Sequence, residues 1–147
     1  MVRLSTDEQQ YPQPSAEEAR PSVLVEVSNA MVRLYKEQFG RGPTKARSFW
    51  VGPDAIACFL EDTLAPAERN LAKMGQHQRL RDMRTFFQYA TIREFCEPVE
   101  RITGRKVRSF QSSIDTKVDG LAVETFIFYA DGEDGPSRSE LVGDDEV

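Results

Sequence analysis

The residues best suited to chemistry lie in one short basic segment, Gly40-Arg-Gly-Pro-Thr-Lys-Ala-Arg47. Arg41, Lys45 and Arg47 supply cationic donors, and a turn at Gly42 would leave backbone amides exposed beside them. Guanidinium, ammonium and amide groups together suit a carboxylate, bicarbonate or phosphate ligand. The sequence therefore predicts a candidate anion site formed by Arg41, Gly42, Lys45 and Arg47.

The same segment also has a simpler interpretation, as a helix cap followed by a turn. Glycine and proline commonly end a helix and redirect the chain. The segment is not a P-loop, because the spacing Gly-x-x-x-x-Gly-Lys-Ser/Thr is absent and no strand is predicted before it. A second basic group, Arg105, Lys106 and Arg108, precedes a later strand. The anion site gains support if the two basic groups meet in space, and otherwise they form a solvated surface.

Acid–base catalysis would have to use His77 or a carboxylate such as Glu61, Asp62 or Asp115. His77 is the sole histidine, which excludes a cluster of histidine metal ligands. Its position at a predicted helix start is typical of a surface or capping residue. No serine or cysteine has the local signature of an activated nucleophile. We predict no catalytic residues, no metal site and no cofactor.

The cysteines and the apolar segments indicate the cellular setting. Cys58 and Cys96 form no Cys-x-x-Cys pair and are typical of small core residues in a reducing compartment. No apolar run has the length of a signal peptide, and none approaches the roughly 20 residues that span a bilayer. We expect a cytoplasmic protein that would reach the inner face of a membrane only through a partner.

Charge divides the chain into three parts. The net charge is −5, but residues 1–19 carry one basic and four acidic side chains, and residues 131–147 carry one basic and seven acidic. We predict a flexible arm over 1–21, one folded domain over 22–130 and a disordered acidic tail over 131–147. The folded part is only mildly basic, so a nucleic-acid partner is not expected.

The elements that must position the basic segment begin with a helix predicted from Ser22 to Phe39. Its apolar residues recur at steps of three and four, and Gly40 follows as a stop signal. Turn residues at 52–54 separate two short alternating segments, which indicates a hairpin. The predicted strands cover 46–51, 55–60, 105–115 and 121–129, and a short helix begins near Leu64.

The longest helical pattern runs from Gln76 to Gly104. Pro98 removes one backbone donor, which predicts a kink or break between Arg93 and Val99. Apolar residues at steps of mainly three and four predict one continuous stripe on this helix. The stripe consists of Leu80, Met83, Phe87, Ala90, Phe95, Val99 and Ile102.

The order helix, hairpin, helix, helix, hairpin predicts an α+β fold with two layers. Strands joined by short turns pair antiparallel, so the two hairpins would form a sheet of about four strands with the helices on one face. Strands 55–60 and 121–129 carry apolar side chains on both faces. We therefore expect the second face to meet a partner, and a homodimer formed through the sheet or the long helix is the first expectation.

Three local patterns occur in a distinctive order along the chain. They are Asn29-Ala30 leading to Gly40-Arg-Gly-Pro43, then Leu64-Ala-Pro-Ala-Glu68, then Ile102-Thr-Gly-Arg-Lys-Val107. Together they resemble the family of MpsC, the small component of a sodium-translocating, membrane-potential-generating system. The resemblance covers about residues 22–130 and implies association with a membrane system for ion or bicarbonate uptake. It offers no catalytic residues to transfer to this chain.

Three functions follow from these observations. The first is a non-enzymatic accessory or regulatory domain that docks on a partner, such as a subunit of a membrane transporter. The second is a sensor that binds a small anion or metabolite through Arg41, Lys45 and Arg47. The third, for which the sequence offers least, is an enzyme of unknown class.

Overall fold

The computed structural model describes residues 22–141. The predicted α+β class and the predicted order of elements are confirmed. The predicted arm over 1–21 and the last residues of the predicted tail, 142–147, lie outside the described residues. The elements are α1 (Val23–Phe39), β1 (Lys45–Trp50), β2 (Ala55–Glu61), α2 (Pro66–Lys73), α3 (His77–Ala90), α4 (Ile92–Thr103), β3 (Val107–Asp115) and β4 (Leu121–Phe128).

Helix α1 has a defined cap at each end. The hydroxyl of Ser22 accepts a hydrogen bond from the backbone N–H of Val25 at 3.2 Å, which satisfies one of the amides that a helix start leaves free. Gly40 ends the helix with a φ of 73°, a conformation that favours glycine. The predicted helix from Ser22 to Phe39 is thus present, and its cap leads directly into the basic segment.

The four strands form one antiparallel sheet in the order β1-β2-β4-β3. The two hairpins are joined by the pairing of β2 with β4, in which Ala57 lies opposite Thr125 and Phe59 lies opposite Val123. This order places β1 and β3 at the two edges. The residues of the basic segment therefore lead into an edge strand.

One face of the sheet forms the core together with the helices. Ile56, Cys58 and Leu60 alternate along β2 toward this face, and Phe126 and Phe128 do so along β4. They pack with apolar residues of α1 and α4, and all five are nearly inaccessible to solvent. The period of two in a strand explains why alternate residues join the core.

The long helical pattern is broken earlier than predicted. Helix α3 ends at Ala90 and α4 begins at Ile92, with Thr91 between them at φ −115°. The Thr91 hydroxyl donates to the Phe87 carbonyl at 2.7 Å, and such local bonds compete with regular helix geometry. Pro98 lies inside α4, which continues to Thr103. The interval from Arg93 to Val99 was therefore the wrong place for the break.

The predicted single apolar stripe is also wrong for α3. Phe87 is 42% exposed and Ala90 is exposed, whereas the buried residues of α3 are Leu80, Arg84 and Gln88. The polar side chains of Arg84 and Gln88 thus face inward, whereas the periodicity predicted that only apolar side chains of α3 would do so. The reason is that the buried surface opposite α3 carries carboxylates.

The prediction of a disordered tail from residue 131 onward is wrong for residues 131–141. Ser137 and Ser139 are buried, and their hydroxyls donate to the carboxylate of Glu100 at 2.6 and 2.8 Å. The backbone N–H of Arg138 donates to the Val107 carbonyl at 2.8 Å. Serine hydroxyls that bind a partly buried carboxylate hold a polar segment in place without a large apolar contact.

Candidate functional site

Arg41 of the predicted anion site is paired with a carboxylate of the chain itself. Its Nη2 lies 2.5 Å from Asp62 Oδ2, and its Nη1 donates to the Leu64 carbonyl at 3.1 Å. Arg69 binds the other oxygen of Asp62 at 2.6 Å. Asp62 has a φ of 55°, which is uncommon for a residue other than glycine. The position that the sequence assigned to an external anion is thus occupied by Asp62.

The other predicted ligands point in different directions. Gly42 lies so close to the aliphatic part of Lys36 that an added Cβ would stand 2.8 Å from Lys36 Cε. Lys45 and Arg47 lie on the exposed face of β1, where Arg47 Nη2 is 3.7 Å from Glu61 Oε2. Arg41 would have to leave Asp62 to join them around a ligand. The anion site stays a prediction.

The second basic group does not meet the first. Arg105 binds Asp54 at 2.7 Å and the Pro53 carbonyl at 2.8 Å, at the turn between β1 and β2. Lys106 binds Asp134 at 2.9 Å. Arg41 lies at the opposite end of this hairpin, and a strand of six residues spans about 20 Å. The two basic groups therefore do not meet in space, and the anion site lacks the support that their meeting would give.

A buried polar cluster lies between α1, α3 and the core face of the sheet. Glu124 on β4 is inaccessible to solvent. Its Oε1 accepts hydrogen bonds from Tyr35 Oη at 2.5 Å, Gln88 Nε2 at 2.8 Å and Ser112 Oγ at 2.9 Å. Burial raises the pKa of Glu124 to about 8, although these donors and nearby Arg84 oppose the rise. The Glu124 carboxyl group is therefore largely protonated at neutral pH.

A second buried pair joins α2 to α3. Arg84 is inaccessible to solvent and binds both oxygens of Glu68, through Nε at 2.6 Å and Nη2 at 2.8 Å. Nη2 also donates to the Thr63 carbonyl at 2.7 Å. The guanidinium carbon lies 4.0 Å from the ring centroid of Phe39, within the range of a cation–π contact. Arg84 thus connects three elements.

Sequence reasoning assigned no role to Glu124, Arg84 or Gln88. Glu124 stands between Ala122 and Phe126 on the core face of β4, and a carboxylate at an alternating core position is a signal that was present in the sequence. Arg84 and Gln88 are four residues apart and share one face of a helix. That pattern could have indicated a polar face turned inward.

The candidate acid–base residue His77 makes a structural contact, and the two cysteines, to which the sequence assigned no chemistry, are buried. His77 Nδ1 lies 2.8 Å from Thr116 Oγ1, which links the start of α3 to the end of β3. Burial raises the pKa of Cys58 to about 11 and that of Cys96 to about 12, so both thiols are protonated at neutral pH. Within residues 22–141, no group of three or more metal-ligating side chains is placed to hold an ion.

The second face of the sheet carries an apolar surface, which we call the sheet-face patch. It consists of Phe49, Phe59, Val123 and Ile127, with Ala57, which is only 6% exposed, and the polar Thr125 between them. The rings of Phe49 and Phe59 lie 5.9 Å apart and are 48% and 39% exposed. The helices among the described residues pack on the opposite face. The sheet-face patch is bordered by Lys45 and Arg47 on one side and by polar residues of β3 on the other.

Comparison with known proteins gives one match. The family model described as "Na+-translocating membrane potential-generating system (MpsC)" matches residues 20–130. No curated protein and no solved structure matches the chain. In the part of the chain from 22 to 141, no helix is both long enough and apolar enough to cross a membrane.

Proposed function

This chain belongs to the MpsC family, and from that premise we propose that it is a non-enzymatic accessory subunit that docks on a membrane-bound partner of an ion-translocating system. The family description supplies the system. The proposal that the chain acts by docking has its main support in the sheet-face patch.

The sheet-face patch suits protein contact because of its composition. Two phenylalanine rings stand side by side among smaller apolar residues, and each ring exposes more than a third of its surface. Apolar surfaces of this kind commonly mark interaction sites, and aromatic residues are enriched at their centres. Lys45 and Arg47 at its border would add charge complementarity to an acidic partner surface.

Affinity capture from the cell's own membranes tests the docking proposal. The tagged full-length chain is incubated with detergent-solubilised membranes, beside the variant Phe59→Ser. Phe86→Ser is the matched control, because Phe86 is 51% exposed on α3, away from the sheet-face patch. We expect an integral membrane subunit to be captured by the unchanged chain and by Phe86→Ser, and to be lost with Phe59→Ser. Recovery of soluble proteins alone, or equal capture by all three, contradicts the proposal.

Self-association is a competing use of the sheet-face patch. In a dimer with two-fold symmetry, the same surface of each copy would meet the other. Chemical cross-linking of the captured material distinguishes the two uses, since a dimer yields only products of this chain, whereas docking yields a product that contains the membrane subunit. A homodimer therefore stays a prediction until the capture is done.

An anion-sensing role is the second function for the basic segment, and it makes a separate prediction. Phosphate or bicarbonate at millimolar concentration would raise the melting temperature of the chain, and Arg41→Ala with Arg47→Ala would remove that effect. The pairing of Arg41 with Asp62 gives this role less support than docking.

A further inference from the structure

The two edge strands of the sheet, β1 and β3, differ in whether other features block further strand pairing. At the β3 edge, a register shift lies between Val107 and Ser109, and the segment 131–141 donates a hydrogen bond from Arg138 N–H to the Val107 carbonyl. Bulges and covering segments are the usual means by which proteins block an edge strand. Among residues 22–141, β1 pairs only with β2, and no register shift interrupts that pairing.

The hydrogen-bond pattern shows which groups of β1 point outward. The Val51 N–H donates to the Ala55 carbonyl at 2.8 Å, and Arg47 and Phe49 lie opposite Phe59 and Ala57. In an antiparallel pair the backbone groups of alternate residues face the partner strand. The N–H and C=O groups of Ala46, Ser48 and Trp50 therefore point away from β2, toward the free edge.

A groove runs beside this edge, between β1 and the first turns of α1. Its volume is about 290 Å³, and its walls include Leu24, Val25, Ala46 and Phe49. The hydroxyls of Ser28 and Ser48, which also line it, lie 2.7 Å apart. In a strand added at the edge of β1, alternate side chains would point to the α1 side, where the groove can receive an apolar group.

The charges on β1 indicate what the opposite face of an added strand would carry. Lys45 and Arg47 are both exposed on the side of the sheet-face patch. The closest carboxylate described for Arg47 is Glu61, at 3.7 Å. Cross-strand neighbours of opposite charge stabilise a strand pair, and like charges destabilise it. A second copy paired through β1 would bring four cations to one face, so an acidic segment is the better occupant.

We propose that the edge of β1, together with this groove, is a strand-addition site for an extended segment of a partner protein. Carboxylates in that segment would alternate with apolar side chains. The carboxylates would pair with Lys45 and Arg47, and one apolar side chain would enter the groove. This inference rests on the proposed docking function, because it names the kind of partner segment that the docking uses.

Amide hydrogen exchange with a defined peptide tests the site in the full-length chain. The probe is a capped peptide with the repeat Glu-Val-Asp-Ala, and the matched control peptide has lysine in place of each acid. We expect the acidic peptide alone to slow the exchange of the Ala46, Ser48 and Trp50 amides by tenfold or more. Failure of the acidic peptide to protect these amides, or equal protection by both peptides, overturns the inference.

Two variants separate backbone pairing from charge. Ala46→Pro removes an outward N–H and should weaken peptide binding by about tenfold, since proline is tolerated on an edge strand only where its nitrogen faces solvent. Arg47→Glu should reverse the preference toward the lysine peptide, whereas Arg79→Glu on α3, with the same change in net charge, should not. Unchanged binding by Ala46→Pro, or unchanged preference in Arg47→Glu, contradicts strand addition.

Amide hydrogen exchange measured without peptide shows whether another segment already occupies the edge of β1. Protection of the three amides without peptide, at every protein concentration, would mean that the chain's own arm fills the edge. Protection that grows with protein concentration would mean that a second copy does. Either result overturns the inference. The docking function is judged separately by the membrane capture with Phe59→Ser, because Phe59 lies on β2 and outside the groove.

Discussion

Glu124 combines a carboxyl group with complete burial in the core. Three donors converge on its Oε1, and its Oε2 has no hydrogen-bond partner among the described residues. The same neighbours that orient the carboxyl group are too few to offset the loss of solvent, which is why its pKa rises. Burial and the adjacent Glu124 also hold the pKa of Tyr35 well above its ordinary value. The cluster therefore lacks a charge of its own at neutral pH.

The raised pKa of Glu124 predicts how the stability of the fold changes with pH. Its pKa is about 8 in the fold and near 4.5 in the unfolded chain. Because the unfolded form loses its proton first as pH rises, the contribution of Glu124 to stability is full below 4.5 and is lost progressively up to about 8. The slope is at most about 1.4 kcal/mol per pH unit. Urea unfolding across this range should show the slope in the unchanged chain, and Glu124→Gln should remove it.

The matched control for this pH dependence is Glu61→Gln, at a partly exposed carboxylate on β2. It should leave the slope as it is in the unchanged chain. If Glu124→Gln keeps the same loss of stability between these pH values, another group is responsible.

Arg84 predicts a large loss of stability from a single substitution. Removing one member of a buried, hydrogen-bonded ion pair leaves the other charge unpaired, at a cost of about 3–5 kcal/mol. Arg84→Met should therefore lower the free energy of unfolding by about that amount, measured by urea titration. Arg69→Ala removes a more exposed partner of Asp62 and should cost less than about 1 kcal/mol.

A double-mutant cycle assigns the Arg84 effect to the pair. Glu68→Gln keeps an oxygen that can accept from the Ala65 N–H, a bond that Glu68 makes at 2.8 Å, but it removes the charge. Arg84→Met combined with Glu68→Gln should be more stable than Arg84→Met alone. Strictly additive losses would show that Arg84 acts through its other contacts, the Phe39 ring and the Thr63 carbonyl, instead.

At the scale of elements, the sequence predicted types and order well because these depend on local signals. The caps Ser22 and Gly40 set the limits of α1, and alternation set the strands. The break at Thr91 was missed because a threonine that bonds its own helix leaves no distinct pattern, whereas Pro98 does. The pairing of Arg41 with Asp62 was missed because it depends on how β2 ends, which no local pattern shows.

The ordered structure of the segment 131–141 could not be predicted from its composition. Glycine and acids indicated disorder, but Ser137 and Ser139 bind Glu100, and Glu100 also accepts from the Val107 N–H at 2.7 Å. Glu100 thus joins α4, the start of β3 and the segment 131–141. Such long-range hydrogen bonds are invisible in a single sequence.

Truncation tests the contribution of the segment 131–141. A chain that ends at Ala130 should melt several degrees lower, because it loses the hydroxyl donors to Glu100 and the cover over Val107. A chain that ends at Leu141 is the control and should match the full length in melting temperature. Equal melting of both truncated chains would contradict the structural role.

At the scale of the whole molecule, the helices within residues 22–141 all pack on one face of the sheet, and none of them packs on the other. Four strands of six to nine residues, at a spacing of about 4.8 Å and a rise of about 3.4 Å per residue, present a face of roughly 500 Å². A stable interface needs about 800 Å² from each partner. The sheet-face patch alone is therefore enough for weak self-association only, and a tight complex needs further contacts, such as those at the β1 edge.

This difference in area predicts the behaviour of the isolated chain. Sedimentation velocity should show mainly monomer at low micromolar concentration, with dimer appearing only at about hundred-fold higher concentration, as a small interface implies. Phe59→Asp should abolish that dimer, since a charge at the centre of two facing patches would be buried without a partner, whereas Phe86→Asp should not. A tight dimer that survives Phe59→Asp would place the contact between copies elsewhere and leave the sheet-face patch free for docking.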